Sequence, residues 1–191
     1  MKIAIMCVGN RLMLDDGVGP AVYDELTSRF VFPENVQLFD AGCMTMDLIP
    51  MVRAYDYIIA VDAVDGTGEV PGTVFKFKPE DIADHPVMQS LHDLRLVDLL
   101  NAAAMLGYQA DGMCFGMQGE NMSPAVLTEG LTPDVYNALP LLVDSVLAEL
   151  VRLNVKFKNS DGTDFVVPDA GEKLSGAPAA TMTHSEVELT I

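Results

Sequence analysis

The sequence has few basic residues, histidines and cysteines, and it has no tryptophan. It carries 11 lysines and arginines against 28 acidic residues, which gives a net charge of −17. Such an excess of negative charge argues against nucleic acid or an anionic membrane surface as a partner, because both are bound through basic patches. It favours a cation, or a partner with a basic segment.

The three cysteines, Cys7, Cys43 and Cys114, lie far apart in the sequence, and no C-x-x-C pair occurs. This spacing argues against a zinc ribbon or a redox pair, and isolated cysteines in apolar runs are typical of buried thiols in a reducing compartment. The chain begins with an apolar strand pattern rather than a signal peptide, and no apolar run is long enough to cross a bilayer. We therefore expect a cytoplasmic protein.

Several motifs of common enzymes are also missing. The sequence contains no G-x-S-x-G, no H-E-x-x-H and no phosphate-binding loop of the type G-x-x-x-x-G-K-[ST]. These absences disfavour a serine nucleophile, a zincin and a nucleotide-binding domain. The last of these is a generic alternative for a chain that alternates strands and helices, and a nucleotide titration tests it.

The most informative stretch that is present is the turn Gly9–Gly19. It follows an apolar first strand at 3–8 and precedes a four-residue apolar periodicity over 18–30, which predicts a helix. Because the turn holds Asp15 and Asp16 but no lysine, it suits a cation better than a phosphate. The alternative is that one of these carboxylates merely caps the helix.

Apolar runs and helical periodicity alternate along the rest of the chain. The predicted strands are 3–8, 36–39, 57–61, 73–78 and 113–117. Later helices are predicted at the capping pattern Ser90–Asp93 and at Thr132–Pro133. The second of these carries an apolar face of Val135, Leu139, Leu142, Val146, Leu150 and Leu153. This order predicts an α/β fold in three layers, with a parallel-rich twisted sheet between helices. The alternating pattern of 73–78 predicts an edge strand guarded by Lys76 and Lys78.

The composition changes to polar sequence with glycine and proline at about Lys156. We therefore expect 1–154 to form the α/β domain and 155–191 to form a weakly ordered tail. On this expectation, truncation after Asn154 leaves the stability of the domain nearly unchanged.

Carboxylates and one imidazole fall where the carboxyl ends of the predicted parallel strands meet. Asp16, Asp40 and Asp62 follow the first three long strands, and His92 opens a predicted helix. Ligands gather at this edge of parallel sheets, and a mixed set of oxygen and nitrogen donors suits a borderline divalent ion such as nickel or zinc. Taken singly, each residue also has a structural interpretation, such as a loop cap or a solvated histidine.

The stretch Gly9–Pro20 resembles the signature of the NiFe hydrogenase maturation endopeptidases. Further matches occur in the family's order and at similar spacing. They are Asp40–Gly42, Val61–Ala63, Ser90–Asp93 and Phe115–Gln118. The resemblance covers roughly the first 150 residues, and it implies a twisted sheet between helices.

The resemblance implies an aspartic-type or metal-dependent endopeptidase that removes the C-terminal peptide of a hydrogenase large-subunit precursor after nickel insertion. It places the catalytic and metal-binding roles on Asp16, Asp62 and His92, and substrate binding on Asp40 and Gly42. Nickel would be supplied by the substrate, and the expected partner is that precursor rather than nucleic acid or a membrane. The alternative is a non-proteolytic, nickel-dependent chaperone or checkpoint protein for the same precursor.

Two positions depart from the pattern of the family. Asp16 stands where relatives often have glutamate, so its side chain is one methylene shorter. The second-strand motif, usually Asp-Gly-Gly-Thr, reads Asp40-Ala41-Gly42-Cys43, which alters how a substrate tail would be held. We expect Cys43 to be a packed thiol, with an extra soft metal ligand as the alternative.

Overall fold

The computed structural model describes most of the chain. The described residues are 1–42, 48–79, 96–108 and 110–166, together with the backbone of 180–183 and 186–188. No helix in this part of the chain combines the length and the apolar character that a membrane span requires.

The order of elements alternates strands and helices, as predicted. The strands are β1 Ile3–Val8, β2 Phe30–Val31, β3 Val36–Gly42, β4 Tyr57–Val64, β5 Val74–Phe77, β6 Asp111–Gln118, β7 Lys158–Asn159, β8 Ala180–Thr183 and β9 Glu186–Glu188. The helices are α1 Val18–Arg29, α2 Ile49–Ala54, α3 Leu96–Met105 and α4 Pro133–Arg152, and a single 3-10 turn, Leu14–Gly17, precedes α1.

The main sheet has the strand order β3-β1-β4-β6-β5-β8-β9. Strands β3, β1, β4 and β6 are parallel to one another, and β5 pairs antiparallel with β6. The sheet is therefore mixed but mostly parallel at its centre. The carboxyl ends of β1, β3, β4 and β6 lie along one edge, and the predicted fold class is confirmed.

Helices cover both faces of the sheet, which explains why every residue of β1 is buried. Ile5 and Cys7 pack in the apolar cluster that includes α1 and α4, whereas Ala4 and Met6 pack in the cluster that includes α2 and α3. This alternation is the two-residue period of a strand, with both faces covered by apolar side chains. It establishes the three layers.

The predicted helix faces are confirmed in α1 and α4. The buried residues of these faces are Val18, Val22 and Leu26 in α1, and Val135, Leu139, Leu142, Val146 and Leu150 in α4. Each fully buried aliphatic side chain of this kind contributes about 1.5–3 kcal/mol to folding. The two helices contact each other, so they close one face of the sheet together.

The structure differs from the prediction for β5. The sheet continues beyond β5 to β8, and Lys76 is directed at α4 rather than guarding an edge. Its ammonium group lies 2.8 Å from the buried carboxylate of Glu149. The strand pattern could not predict this pairing, because Glu149 lies 73 residues further along the chain.

The chain after α4 also differs from the prediction of a tail that begins at residue 155. Phe157 is buried, its ring stacks on Phe165 with centroids 4.6 Å apart, and it meets Phe30 edge-on at 5.8 Å. Strand β7 pairs with β2. The segment 155–166 therefore packs against the domain, because it brings two aromatic rings to an apolar surface. Weak order in the rest of the tail stays a prediction.

Candidate active site

Two glycines fold the signature turn tightly against β1. Gly9 has φ +133°, and a Cβ there would lie 1.9 Å from the backbone oxygen of Asp16. A Cβ on Gly19 would lie 2.0 Å from the backbone oxygen of Val8. Only glycine permits such close approach of backbone to backbone. The glycines thus place the 3-10 turn, and Asp16 within it, directly over the carboxyl end of β1.

The structure brings Asp16 and Asp62 together at this edge. Asp16 is half-buried, and its carboxylate accepts the backbone N–H of Asn10 at 2.9 Å. Asp62 lies near the end of β4 and is also half-buried, and its carboxylate accepts the N–H of Ala63 at 2.8 Å. Elements from two neighbouring parallel strands therefore present carboxylates to one site.

The electrostatics of the pair show that the two carboxylates interact. Loss of solvation, and then the negative charge of Asp16, raise the pKa of Asp62 to about 7, although the N–H of Ala63 opposes this shift. When two carboxyl groups lie close together with reduced access to water, ionisation of both at once is unfavourable. A cation placed between them would relieve this cost, so the arrangement suits a positively charged ligand.

Asp15, in contrast, has a structural role. It is buried, and its carboxylate accepts the N–H of Thr132 at 2.7 Å and the hydroxyl of Thr132 at 3.0 Å. It also accepts the N–H groups of Glu120 and Asn121, both at 2.9 Å. Asp15 therefore does not cap α1: its bonds reach the loop before α4, and they include Thr132, which precedes the first residue of that helix. Its carboxylate fixes the loop 119–132 against the signature turn.

The predicted substrate-binding residues lie at the end of β3, beside the same turn. The guanidinium of Arg11 donates to the carboxylate of Asp40 at 2.8 and 3.1 Å, and to Asp24 at 2.5 and 3.0 Å. Gly42 has φ +55°, and its carbonyl accepts the N–H of Gly9 at 2.9 Å. The end of β3 is thereby joined to the signature turn. Substrate binding by these residues stays a prediction.

His92 and Cys43 lie outside the described residues, so the third predicted ligand stays a prediction. Among the residues that the structure describes, no group of three histidine, cysteine or acidic side chains is arranged to hold a metal ion. The structure thus establishes the pair of Asp16 and Asp62 and leaves the role of His92 to experiment.

Gln118, the last residue of the matching segment Phe115–Gln118, organises another turn at the same edge. It ends β6 and is buried. Its carboxamide oxygen accepts the hydroxyl of Thr67 at 2.5 Å, and its amide donates to the carbonyl of Gly119 at 2.7 Å. The signal was a polar residue at the end of a buried strand, the same signal that drew attention to Asp62.

A cavity of about 450 Å³ opens beside the signature turn. Its wall contains three charged side chains together with small and apolar residues. They are Arg11, Gly17, Ala21, Asp24, Glu129, Gly130 and Leu131. Gly17 follows Asp16 directly, so the cavity borders the turn that carries one of the paired carboxylates.

Comparisons with known proteins identify the family of the chain. The profile of the hydrogenase maturation protease family matches residues 20–149. The chain is 30% identical to the hydrogenase 2 maturation protease of Escherichia coli K12 over 158 residues, which cover 82% of this chain and 94% of that protein. It is 29% identical to the coenzyme F420 hydrogenase subunit delta of Methanothermobacter thermautotrophicus over 162 residues, which cover 78% and 94% of the two chains.

Solved structures show the same similarity. The hydrogenase maturating endopeptidase HybD from Escherichia coli superimposes with a TM-score of 0.73 and 26% identity, over 84% of this chain and 99% of that one. A hydrogenase 2 maturation peptidase from a Thaumarchaeota archaeon gives a TM-score of 0.58 with 29% identity, over 79% and 99% of the two chains. The chain therefore belongs to the hydrogenase maturation protease family and is an endopeptidase.

Proposed function

We propose that the protein removes the C-terminal peptide from the precursor of a NiFe hydrogenase large subunit, and that it acts once nickel is present in that precursor. The observation that carries this proposal is the pair of Asp16 and Asp62. Burial, followed by the negative charge of Asp16, raises the pKa of Asp62 to about 7. A divalent cation arriving with the substrate is the kind of ligand that such a pair accommodates.

In this proposal nickel belongs to the substrate rather than to the enzyme. Asp16 and Asp62 supply oxygen ligands from the enzyme, and His92 supplies the nitrogen ligand that the family resemblance implies. Because a ligating carboxylate must be ionised, Asp62 releases its proton when the ion binds. Binding of the loaded precursor is therefore expected to strengthen as the pH rises through about 7.

The bound ion supplies the electrophilic chemistry of hydrolysis, by polarising the scissile carbonyl or by lowering the pKa of a water molecule. Neither of the two cysteines that the structure describes suits the role of a nucleophile. Cys7 lies in β1, and burial, followed by the charge of Asp40, raises the pKa of its thiol to about 12. It is therefore not a thiolate at neutral pH, and the thiolate is the reactive form. Cys114 is buried as well.

The end of β3 is proposed to hold the C-terminal peptide of the precursor. Asp40 and Gly42 lie beside the signature turn through their bonds to Arg11 and Gly9. We place the reaction in the cytoplasm, because the free, buried thiols of Cys7 and Cys114 suit a reducing compartment. The net charge of −17 disfavours nucleic acid and anionic membranes as partners.

The test compares nickel-loaded and nickel-free precursor, each incubated with the purified protein, with the mass of the precursor measured over time. The expected result is loss of the C-terminal peptide from the nickel-loaded form only. Equal cleavage of the nickel-free form would contradict recognition through nickel. Binding of the loaded precursor without any cleavage would favour the alternative of a chaperone or checkpoint protein.

A further inference from the structure

We propose that the enzyme docks its precursor through a surface beside the paired carboxylates, and that this surface recognises a segment carrying an apolar side chain next to a basic one. The surface has two parts. The apolar patch consists of Leu12, Val126 and Leu127, and the acidic cavity is the 450 Å³ cavity next to it. This inference rests on the proposed function and specifies the chemistry of the substrate segment.

The apolar patch is exposed, although its residues are hydrophobic. Val126 is 75% exposed, Leu127 is 66% exposed and Leu12 is 41% exposed. The N–H of Thr128 donates to the carbonyl of Leu12 at 2.8 Å, and the N–H of Leu14 donates to the carbonyl of Thr128 at 2.9 Å. These bonds join two loops that are remote in sequence into one surface. Grouped apolar residues of this kind mark interaction sites more often than single ones do.

The patch is held in place before any partner arrives. The buried carboxylate of Asp15 fixes the same loop through the N–H groups of Glu120, Asn121 and Thr132. A docking surface that is already ordered loses less conformational entropy on binding. The loop therefore presents Val126 and Leu127 as fixed anchors.

The acidic cavity defines the charge of the partner. Arg11 is paired with Asp24 and with Asp40, so its positive charge is already matched twice. Glu129 contributes a further carboxylate to the wall. The wall thus holds one positive charge against two negative ones, those of Asp24 and Glu129, and the arginine is paired with Asp40 as well. A lysine or arginine side chain is therefore the complementary occupant. Glu129 lies two residues after Leu127, which places the basic side chain next to the apolar one.

A second copy of this chain is a poor occupant of the same surface. The protein has a net charge of −17, and the two copies would repel each other on approach. An anionic membrane is disfavoured for the same reason. The protein substrate, whose cleavage site must reach Asp16, is the occupant that the position of the surface favours. Gly17, which lines the acidic cavity, follows Asp16 directly.

The experiment measures steady-state processing of the nickel-loaded precursor by wild type, Leu127→Asp and Glu129→Lys. We expect KM to rise about tenfold for Leu127→Asp with kcat within about twofold of wild type, because the new carboxylate would lose its water against the apolar side chain of the precursor. For Glu129→Lys we expect a rise in KM of about fivefold at low salt, which shrinks at high salt through screening.

Matched controls carry the same substitutions at the opposite edge of the sheet. Leu106, between α3 and the start of β6, is 60% exposed, and Glu34, before β3, is exposed. Leu106→Asp and Glu34→Lys are expected to leave KM within about twofold of wild type, since surface substitutions away from a binding site have small effects. Circular dichroism checks that all four variants retain the fold.

The outcomes separate the two proposals. If wild type does not process the loaded precursor, the proposed function is wrong. If wild type does so and Leu127→Asp has an unchanged KM, the docking surface is wrong while the proposed function stands. The docking surface is also overturned if the control variants raise KM as much as Leu127→Asp and Glu129→Lys do.

Discussion

The two ends of β4 lie beside carboxylates in opposite electrostatic settings. Near the carboxyl end, Asp62 faces Asp16, and loss of solvation and this like charge raise its pKa to about 7. At the start of the strand, Tyr57 donates its hydroxyl to the buried carboxylate of Glu149 at 2.6 Å. Burial alone would raise the pKa of Glu149, but hydrogen bonds from Arg152, Lys76 and Tyr57 lower it to about 2.

The difference separates an acid that is paired with cations from one that stands beside a like charge. Glu149 is paired with Lys76 at 2.8 Å and with Arg152 at 2.6 Å, so its charge stabilises the contact between α4 and the sheet. The charge of Asp62 is opposed by that of Asp16 and disfavours the folded state at high pH. Carboxylates whose pKa is strongly shifted in this way are common in active sites.

Removing the charge of Asp62 is expected to abolish processing. Asp62→Asn nearly preserves the volume of the side chain and removes the anionic ligand. We expect cleavage to fall by at least about 100-fold, because loss of a direct ligand should cost no less than loss of an outer-shell partner, which costs up to about 100-fold. Asp16→Asn should behave alike. Cleavage of nickel-loaded precursor, followed by mass spectrometry, measures the loss. Near-normal rates in both variants would contradict a role of Asp16 and Asp62 in cleavage.

Glu149→Gln is expected to lower the free energy of unfolding by about 3 kcal/mol at neutral pH, since breaking a buried ion pair leaves its partners uncompensated. Because the pKa of Glu149 is lowered from 4.5 to about 2, this contribution is present above pH 4.5 and is lost as the pH falls towards 2. Urea denaturation across this range measures it, with the exposed Glu34→Gln as the control. A difference that does not change with pH would contradict the electrostatic origin.

Phe157→Ala supplies an apolar reference for that measurement. The ring is buried against Phe30 and Phe165, and its loss is expected to cost about 3 kcal/mol, as large-to-small core substitutions do. This loss should be the same from pH 8 to pH 4. A truncation after Asn154 should be at least as harmful, contrary to the sequence-based expectation. A fully stable truncated protein would show that the packing of 155–166 contributes nothing.

The smallest effect is expected for the stability of Asp62→Asn without substrate. The raised pKa of Asp62 means that ionisation costs folding energy, so wild type keeps its full stability below pH 3.8 and loses part of it as the pH rises through about 7. Asp62→Asn avoids this loss, and we expect it to be more stable than wild type by about 1 kcal/mol at pH 8. Thermal unfolding of both proteins at pH 8 and pH 5 measures the difference. If wild type and Asp62→Asn have equal melting temperatures at each of the two pH values, the prediction is wrong.

Local patterns in the sequence determined the α/β class, the faces of α1 and α4, and the position of Asp16 and Asp62 at one edge of the sheet. Periodicity suffices for these features, because a helix face or a buried strand depends on residues that lie within a few positions of one another. The glycine-rich turn is equally local, since Gly9 and Gly19 act on the backbone of Asp16 and Val8.

Which partners each carboxylate has depends on contacts that only the folded chain makes. Asp15 and Asp16 are neighbours in sequence, yet Asp15 serves the loop before α4 through contacts with Thr132, which lies 117 residues away. Glu149 finds Tyr57 across 92 residues, and Phe157 finds Phe30 across the end of the domain. The pKa of a carboxylate depends on the charges and solvent that surround it in space. Contacts over such separations leave no periodic trace in the chain, so only the folded structure distinguishes an acid that is paired within the fold, such as Glu149, from one that stands beside a like charge, such as Asp62.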